Sequence, residues 1–155
     1  GLTFILVLIS VDPRGLASLD ARAIANALAV ALLLLGIFPL TQVYQHEADA
    51  SRGDLTISLL VGIRGTFVLS GICLALGIGT LGYFVFLRSG WPWTLVYALA
   101  QAPAAGFFLL WFLSVLRDPR AADFRSTMRM NLFASGLLNT FYIAYLAIDR
   151  IGRFY

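Results

Sequence analysis

The sequence predicts an all-α integral membrane protein, a multi-helix transmembrane bundle. Three observations predict it. First, the chain is 60% hydrophobic and only 12% charged, with a mean hydropathy of +0.87, too little charge to cover a water-soluble surface. Second, the apolar residues form long runs, and about 20 such residues cross a hydrocarbon core of roughly 30 Å. Those runs do not alternate as the strands of a membrane β-barrel do. Third, the polar and charged residues concentrate between the runs, where a bilayer meets water.

Each element follows in order. Leu2–Val11 reads as the tail of a membrane helix whose beginning is missing, with no basic region ahead of it and no initiator Met, so the chain is expected to be a fragment. Asp12-Pro13-Arg14-Gly15 breaks that helix. Asp20 or Ser18 can cap the next one, which runs from about Ala21 through the apolar core Ala27–Leu40 and on to about Ala50. Ser51-Arg52-Gly53-Asp54 is a turn, and Leu55–Gly62 a short amphipathic stretch. A second complete span covers about Ile63–Leu87, with Gly71, Ala75 and Gly79 spaced for close helix approach. Arg88-Ser89-Gly90 closes it. Trp91-Pro92-Trp93 marks the interface and opens a third span, about Pro92–Leu116, in which Pro103 is expected to kink the helix. Arg117-Asp118-Pro119-Arg120 forms a polar loop. Ala121–Arg129 is amphipathic and basic, lying at the interface or extending the last span, Met130–Ile148. Asp149-Arg150 and Arg153-Phe154-Tyr155 form the exit. That makes about four complete spans plus the truncated first one, in a single domain covering 1–155 without internal repeats.

The charge pattern narrows the function classes. All basic residues but His46 are arginines, the net charge is +3, and no dense basic patch exists, so nucleic acid is not expected as a partner. Cys73 is the only cysteine, sits in an apolar run, and can form neither an internal disulfide nor a metal-binding pair. By alternation, the 45–64 and 117–129 loops share one face, with Arg52, Arg64, Arg117, Arg120, Arg125 and Arg129. The other face carries Arg14, Arg22, Arg88, Arg150 and Arg153. The excess places the first face in the cytoplasm, and a bacterial inner membrane is the expected location.

Chemistry is expected in the stretch from Pro39 to Thr56. Gln42, Gln45, His46, Asp49 and Arg52 recur at steps of three or four, so on a continuous helix they share one face. Glu47 lies off the centre of that stripe. Carboxylates with oxygen-bearing neighbours suit Mg²⁺, and Arg52 and Arg64 can neutralise a phosphate. A helix exit solvated by lipid headgroups also produces such a stripe.

The string Tyr44-Gln45-His46-Glu47-Ala48-Asp49-Ala50-Ser51-Arg52-Gly53-Asp54-Leu55-Thr56, followed by Leu60-Val61-Gly62, resembles the second aspartate-rich motif of the UbiA prenyltransferase superfamily. The resemblance implies a bundle of nine membrane helices around a cavity, of which this chain would be the C-terminal half. Two aspartate-rich motifs would hold Mg²⁺ and the diphosphate of a prenyl donor. The prenyl group would pass to an aromatic or other lipophilic acceptor, such as a quinone precursor. Carried onto this chain, Asp49 and Glu47 would hold metal, and Arg52, with Arg64, the diphosphate. Gln42, Gln45 and His46 would contact substrate, and Asp54 would order the loop. Tyr97, Gln101, Asn139 and Tyr142 would line the cavity, although interhelical hydrogen bonding explains them equally well. The chain departs from the family in lacking the first motif, and in carrying Gln42 and Gln45 where Asp is common. The departure motivates an alternative: a non-catalytic membrane protein of the same fold that binds a lipid or a partner subunit. A transporter is disfavoured because no acidic or basic residue lies deep in a complete span.

Overall fold

The structure, a computed structural model, describes residues 20–151, with side chains through 148. Leu2–Val11, the break at Asp12–Gly15, the Ser18 cap and the Asp149–Tyr155 exit lie outside what is described. Among the described residues there is no strand, and three helical segments are long and apolar enough to cross a membrane.

Helix α1 spans Ala21–Leu40. Asp20 starts it as expected, its Oδ1 accepting from the Ala23 N–H at 2.8 Å. It does not run on to Ala50. Pro39 brings no N–H to the last turn and its ring crowds the preceding carbonyls. The Thr41 hydroxyl then donates to the Phe38 carbonyl at 2.7 Å. The chain passes through a 3₁₀ turn at Val43–Gln45 before a short helix, α2, His46–Arg52. Gly53, at φ 75°, closes α2 in the left-handed region that favours glycine.

Helix α3 covers Ile57–Arg117, with non-helical backbone at Gly62 (φ 71°) and Gly90 (φ 75°). Thr56 caps its start through the Leu59 N–H at 3.3 Å. Gly90 is the reversal point: residues 63–89 and 91–117 fold into an antiparallel hairpin. Contacts run the length of the pairing. Tyr97 donates to the Ile78 carbonyl at 3.0 Å, Gly71 meets Phe108, and Arg64 donates to the Leu116 carbonyl at 3.0 Å. A positive φ lets the chain turn with almost no loop, and Pro92 follows at a helix start, where its missing N–H costs nothing. At Pro103 the backbone keeps helical angles.

A 3₁₀ turn at Pro119–Ala121 leads to α4, Phe124–Ile151. Asp123 caps α4, its carboxylate accepting from the Ser126 N–H at 2.7 Å. The basic stretch before Met130 therefore extends the last helix.

Consecutive helices pack side by side. Helix α1 lies on residues 63–89, where Gly36 meets Leu74 and Gly77 meets Leu33 and Ala29. Helix α4 lies on residues 91–117 through Trp93–Tyr145, Tyr97–Phe141 and Phe107–Phe133 ring contacts. Between α1 and α4 there is little contact, and the Thr127 hydroxyl on the Leu40 carbonyl marks the end where they approach. The helices thus form an open arc. Its outer surface carries exposed Leu28, Phe38, Leu99, Leu110 and Ile143, as a surface solvated by lipid tails requires.

Candidate functional site

Two regions concentrate polar groups that a bilayer would not tolerate unpaired. The first is the segment between α1 and α3. Because the chain breaks at Thr41–Gln45, the five residues expected on one stripe do not form one. Gln42 sits ahead of α2, its Oε1 buried without a partner. Gln45 turns to the Tyr44 hydroxyl at 2.8 Å. His46 Nε2 meets the Ser58 hydroxyl at 2.6 Å. The Thr66 hydroxyl reaches Ser58 Oγ at 3.0 Å and the Gly62 carbonyl at 2.9 Å. His46, Ser58 and Thr66 thereby fasten α2 to α3 across the Gly62 break.

Asp49 is the buried charge of this region, 4% exposed. Its Oδ1 accepts from Arg52 Nη2 at 2.6 Å, and Arg52 Nε donates to Asp54 Oδ2 at 3.0 Å. Arg52 is thus clasped by two carboxylates while staying largely in solvent. Paired and hydrogen-bonded, the Asp49 charge is tolerated where an isolated one would not be. Asp54 meets Arg52 from the loop, both side chains being exposed.

The expected metal pair does not assemble from these residues. Glu47 and Asp49 are two positions apart on α2, which turns their side chains to nearly opposite sides. Glu47 is exposed, Asp49 buried and committed to Arg52. Among the described residues no group of three His, Cys, Asp or Glu side chains is placed to hold an ion. The residues present therefore do not fit Mg²⁺ on their own. Arg64 donates from its guanidinium to the Leu116 carbonyl at 3.0 Å.

The second region is a groove of about 1010 Å³ inside the arc, walled by α1, both limbs of the α3 hairpin and α4. No charged residue lines it. Its polar lining is Asn26 on α1, Gln101 on the hairpin, and Asn131, Ser135, Asn139 and Tyr142 on α4. Gln101, Asn139 and Tyr142 are where the sequence places them. Tyr97 is not: its hydroxyl is spent on Ile78, its ring packs on Phe141 and Tyr142, and it does not line the groove. Gln101 is 5% exposed and its Nε2 has no partner.

An apolar layer links the two regions. Leu40 and Val43, at the foot of the motif segment, belong to one buried cluster with Phe67, Trp111, Val115 and Met130. Phe67 and Met130 also line the groove.

Sequence reasoning missed Ser58 and Thr66. Both are fully buried hydroxyls, and the available signal was their position on either side of Gly62, next to a lone histidine. It also missed Trp111, whose indole N–H donates to the Ala121 carbonyl at 2.8 Å and pins the 119–121 turn.

Comparison with known proteins finds no matching family model, curated protein or solved structure.

Proposed function

We propose that this chain is the C-terminal half of a membrane prenyltransferase of the UbiA type. On this reading α1, residues 63–89, residues 91–117 and α4 are four complete spans of a nine-helix bundle. The observation that carries it is the pairing of a long, uncharged apolar groove with an arginine held between two carboxylates at one end. A prenyl chain needs the first to exclude water, and a diphosphate needs the second.

The chemistry assigned to these residues is electrostatic. Arg52, steered by Asp49 and Asp54, meets the diphosphate. The bond between the allylic carbon and the diphosphate oxygen breaks, its electron pair leaving with the oxygen. The acceptor's nucleophilic atom bonds to the resulting cation and a proton departs to solvent. Arg52 is favoured over a carboxylate-held ion as the stabiliser of that leaving charge, since Glu47 and Asp49 diverge. The motif end would face the cytoplasm of a bacterial inner membrane, and the acceptor would be lipophilic, entering from the bilayer.

The test is release of diphosphate from geranylgeranyl diphosphate by the whole protein in proteoliposomes. Arg52→Ala is expected to reduce the rate by about a hundredfold or more, the scale of losing one positioned charge donor. Full turnover by Arg52→Ala would remove the assignment.

A second reading has its own observation. The cluster is largely self-neutralised, Asp49 and Asp54 against Arg52, and glutamines stand at positions 42 and 45. Both favour a non-catalytic relative that holds a lipid in the groove. It predicts no diphosphate release from any prenyl donor, together with co-purification of a bound lipid.

A further inference from the structure

The loop end of the arc carries a set of cations that neither reading uses. Arg117 ends α3, and Arg125 and Arg129 stand one turn apart on the first turns of α4. All three are exposed. Arg64, anchored to the Leu116 carbonyl, brings a fourth guanidinium beside Arg117. None of the four is in an ion pair among the described residues.

The carboxylates of the same segment are already engaged. Asp118 Oδ1 accepts from the Arg120 backbone N–H at 3.0 Å and from its Nε at 3.2 Å. Those hydrogen bonds hold the Asp118 carboxyl below its ordinary range. Asp123 is occupied as the cap of α4. Among the described residues the surplus positive charge has no counterion. Beside it on α4, Phe124 and Met128 are 56% and 37% exposed. They stand on the same turns as Arg125 and Arg129. An apolar pair flanked by unpaired guanidinium groups, at the end of membrane helices, matches the boundary of acyl chain and headgroup.

We propose that this face is a binding surface for anionic phospholipid: Arg117, Arg125 and Arg129, with Arg64, take lipid phosphates while Phe124 and Met128 insert among the upper acyl carbons. The partner is a bilayer lipid rather than soluble phosphate, because Met128 and the face of Phe124 left open by its edge-on contact with Tyr44, exposed beside the arginines, need an acyl phase to cover them. Each arginine fully engaged near an anionic surface favours association roughly five-fold, so partial engagement of two gives a preference on the order of tenfold.

The experiment is native mass spectrometry of the full chain released from membranes of equal phosphatidylglycerol and phosphatidylcholine. The wild type is expected to retain phosphatidylglycerol about tenfold over phosphatidylcholine, with the preference falling at high salt as charges are screened. The variant combining R117Q, R125Q and R129Q is expected to bring the ratio close to one. R22Q, at the far end of α1, leaves most of the preference in place. Equal retention of both lipids by the wild type overturns the proposal, as does an undiminished ratio in the triple variant. Displacement of the phosphatidylglycerol by millimolar inorganic phosphate overturns it in favour of a soluble phosphate site. Should the triple variant fail to fold, the wild-type ratio and its salt dependence decide alone.

Discussion

The two walls of the groove are built on opposite principles. On one side, α1 approaches residues 63–89 through glycine. A Cβ at Gly77 would come within 2.8 Å of Leu33 Cδ2 and 3.0 Å of the Ala29 carbonyl oxygen. On the other side, α4 meets residues 91–117 through rings, with Trp93–Tyr145 centroids 5.1 Å apart and Tyr97–Phe141 5.0 Å apart. Lipid tails are as apolar as leucine, so burial alone holds neither interface together. One wall gains from backbone proximity, the other from shape-matched edge-to-face rings. The glycine wall has no give and the aromatic wall can repack.

That contrast can be broken most sharply at Gly77. Gly77→Val must push α1 away from residues 63–89, because the obstructing atoms include a backbone oxygen. The expected loss is about 3 kcal/mol, the upper range for overpacking, read by reversible unfolding in bicelles. Gly79 is the control: a Cβ there meets nothing within 4 Å. Gly79→Ala should be neutral or stabilise by up to about 1 kcal/mol through helix propensity. Equal effects at the two sites would dissolve the distinction.

The aromatic wall should yield less. Phe141→Ala removes a buried ring stacked on Tyr145 and edge-on to Tyr97. In a water-soluble core such a change costs about 3–5 kcal/mol. Here lipid can fill the space without a hydrophobic penalty, so about 2 kcal/mol is expected in the same unfolding assay. Tyr97→Phe keeps the ring and deletes only its bond to Ile78. About 0.6 kcal/mol is expected, the mean for hydrogen bonds between membrane helices. A loss as large as that of Phe141→Ala would mean that Tyr97 is held by its bond across the α3 hairpin rather than by the rings of α4.

The membrane class was legible because it is a property of bulk composition and run length, which no tertiary contact can reverse. Helix ends marked by local chemistry were legible too: Asp20 caps α1, and Gly90 with Trp91-Pro92-Trp93 marks the reversal. Helix faces were not. Gly71, Ala75 and Gly79 have the spacing for close approach, yet Gly79 touches nothing and the tight contacts fall at Gly36, Gly77 and Gly82. Spacing reveals that a small stripe exists, and only the neighbouring helix decides which stripe it uses. The same limit applied at the motif. The stripe from Gln42 to Arg52 assumed one continuous helix, but Pro39 and Thr41 end α1 first. The break turned Gln45 to Tyr44 and His46 to Ser58, and left Asp49 and Arg52 to each other.

The effect expected at Gln101 bears most directly on what the groove is for. Gln101 lies between the two walls, buried, with its Nε2 unpartnered. A polar atom left unpaired in an apolar site costs roughly 1–3 kcal/mol. Gln101→Leu, in ligand-free protein, should therefore leave stability unchanged or raise it by about 1 kcal/mol, since it removes an unmet requirement rather than a contact. The same variant in protein purified with its native lipids should lose part of whatever stabilisation those lipids confer. A residue kept for packing would show the reverse order, with a loss in the ligand-free state and no further change when lipid is present. Unfolding of Gln101→Leu with and without native lipid thus separates an amide retained for an occupant of the groove from one retained for the fold.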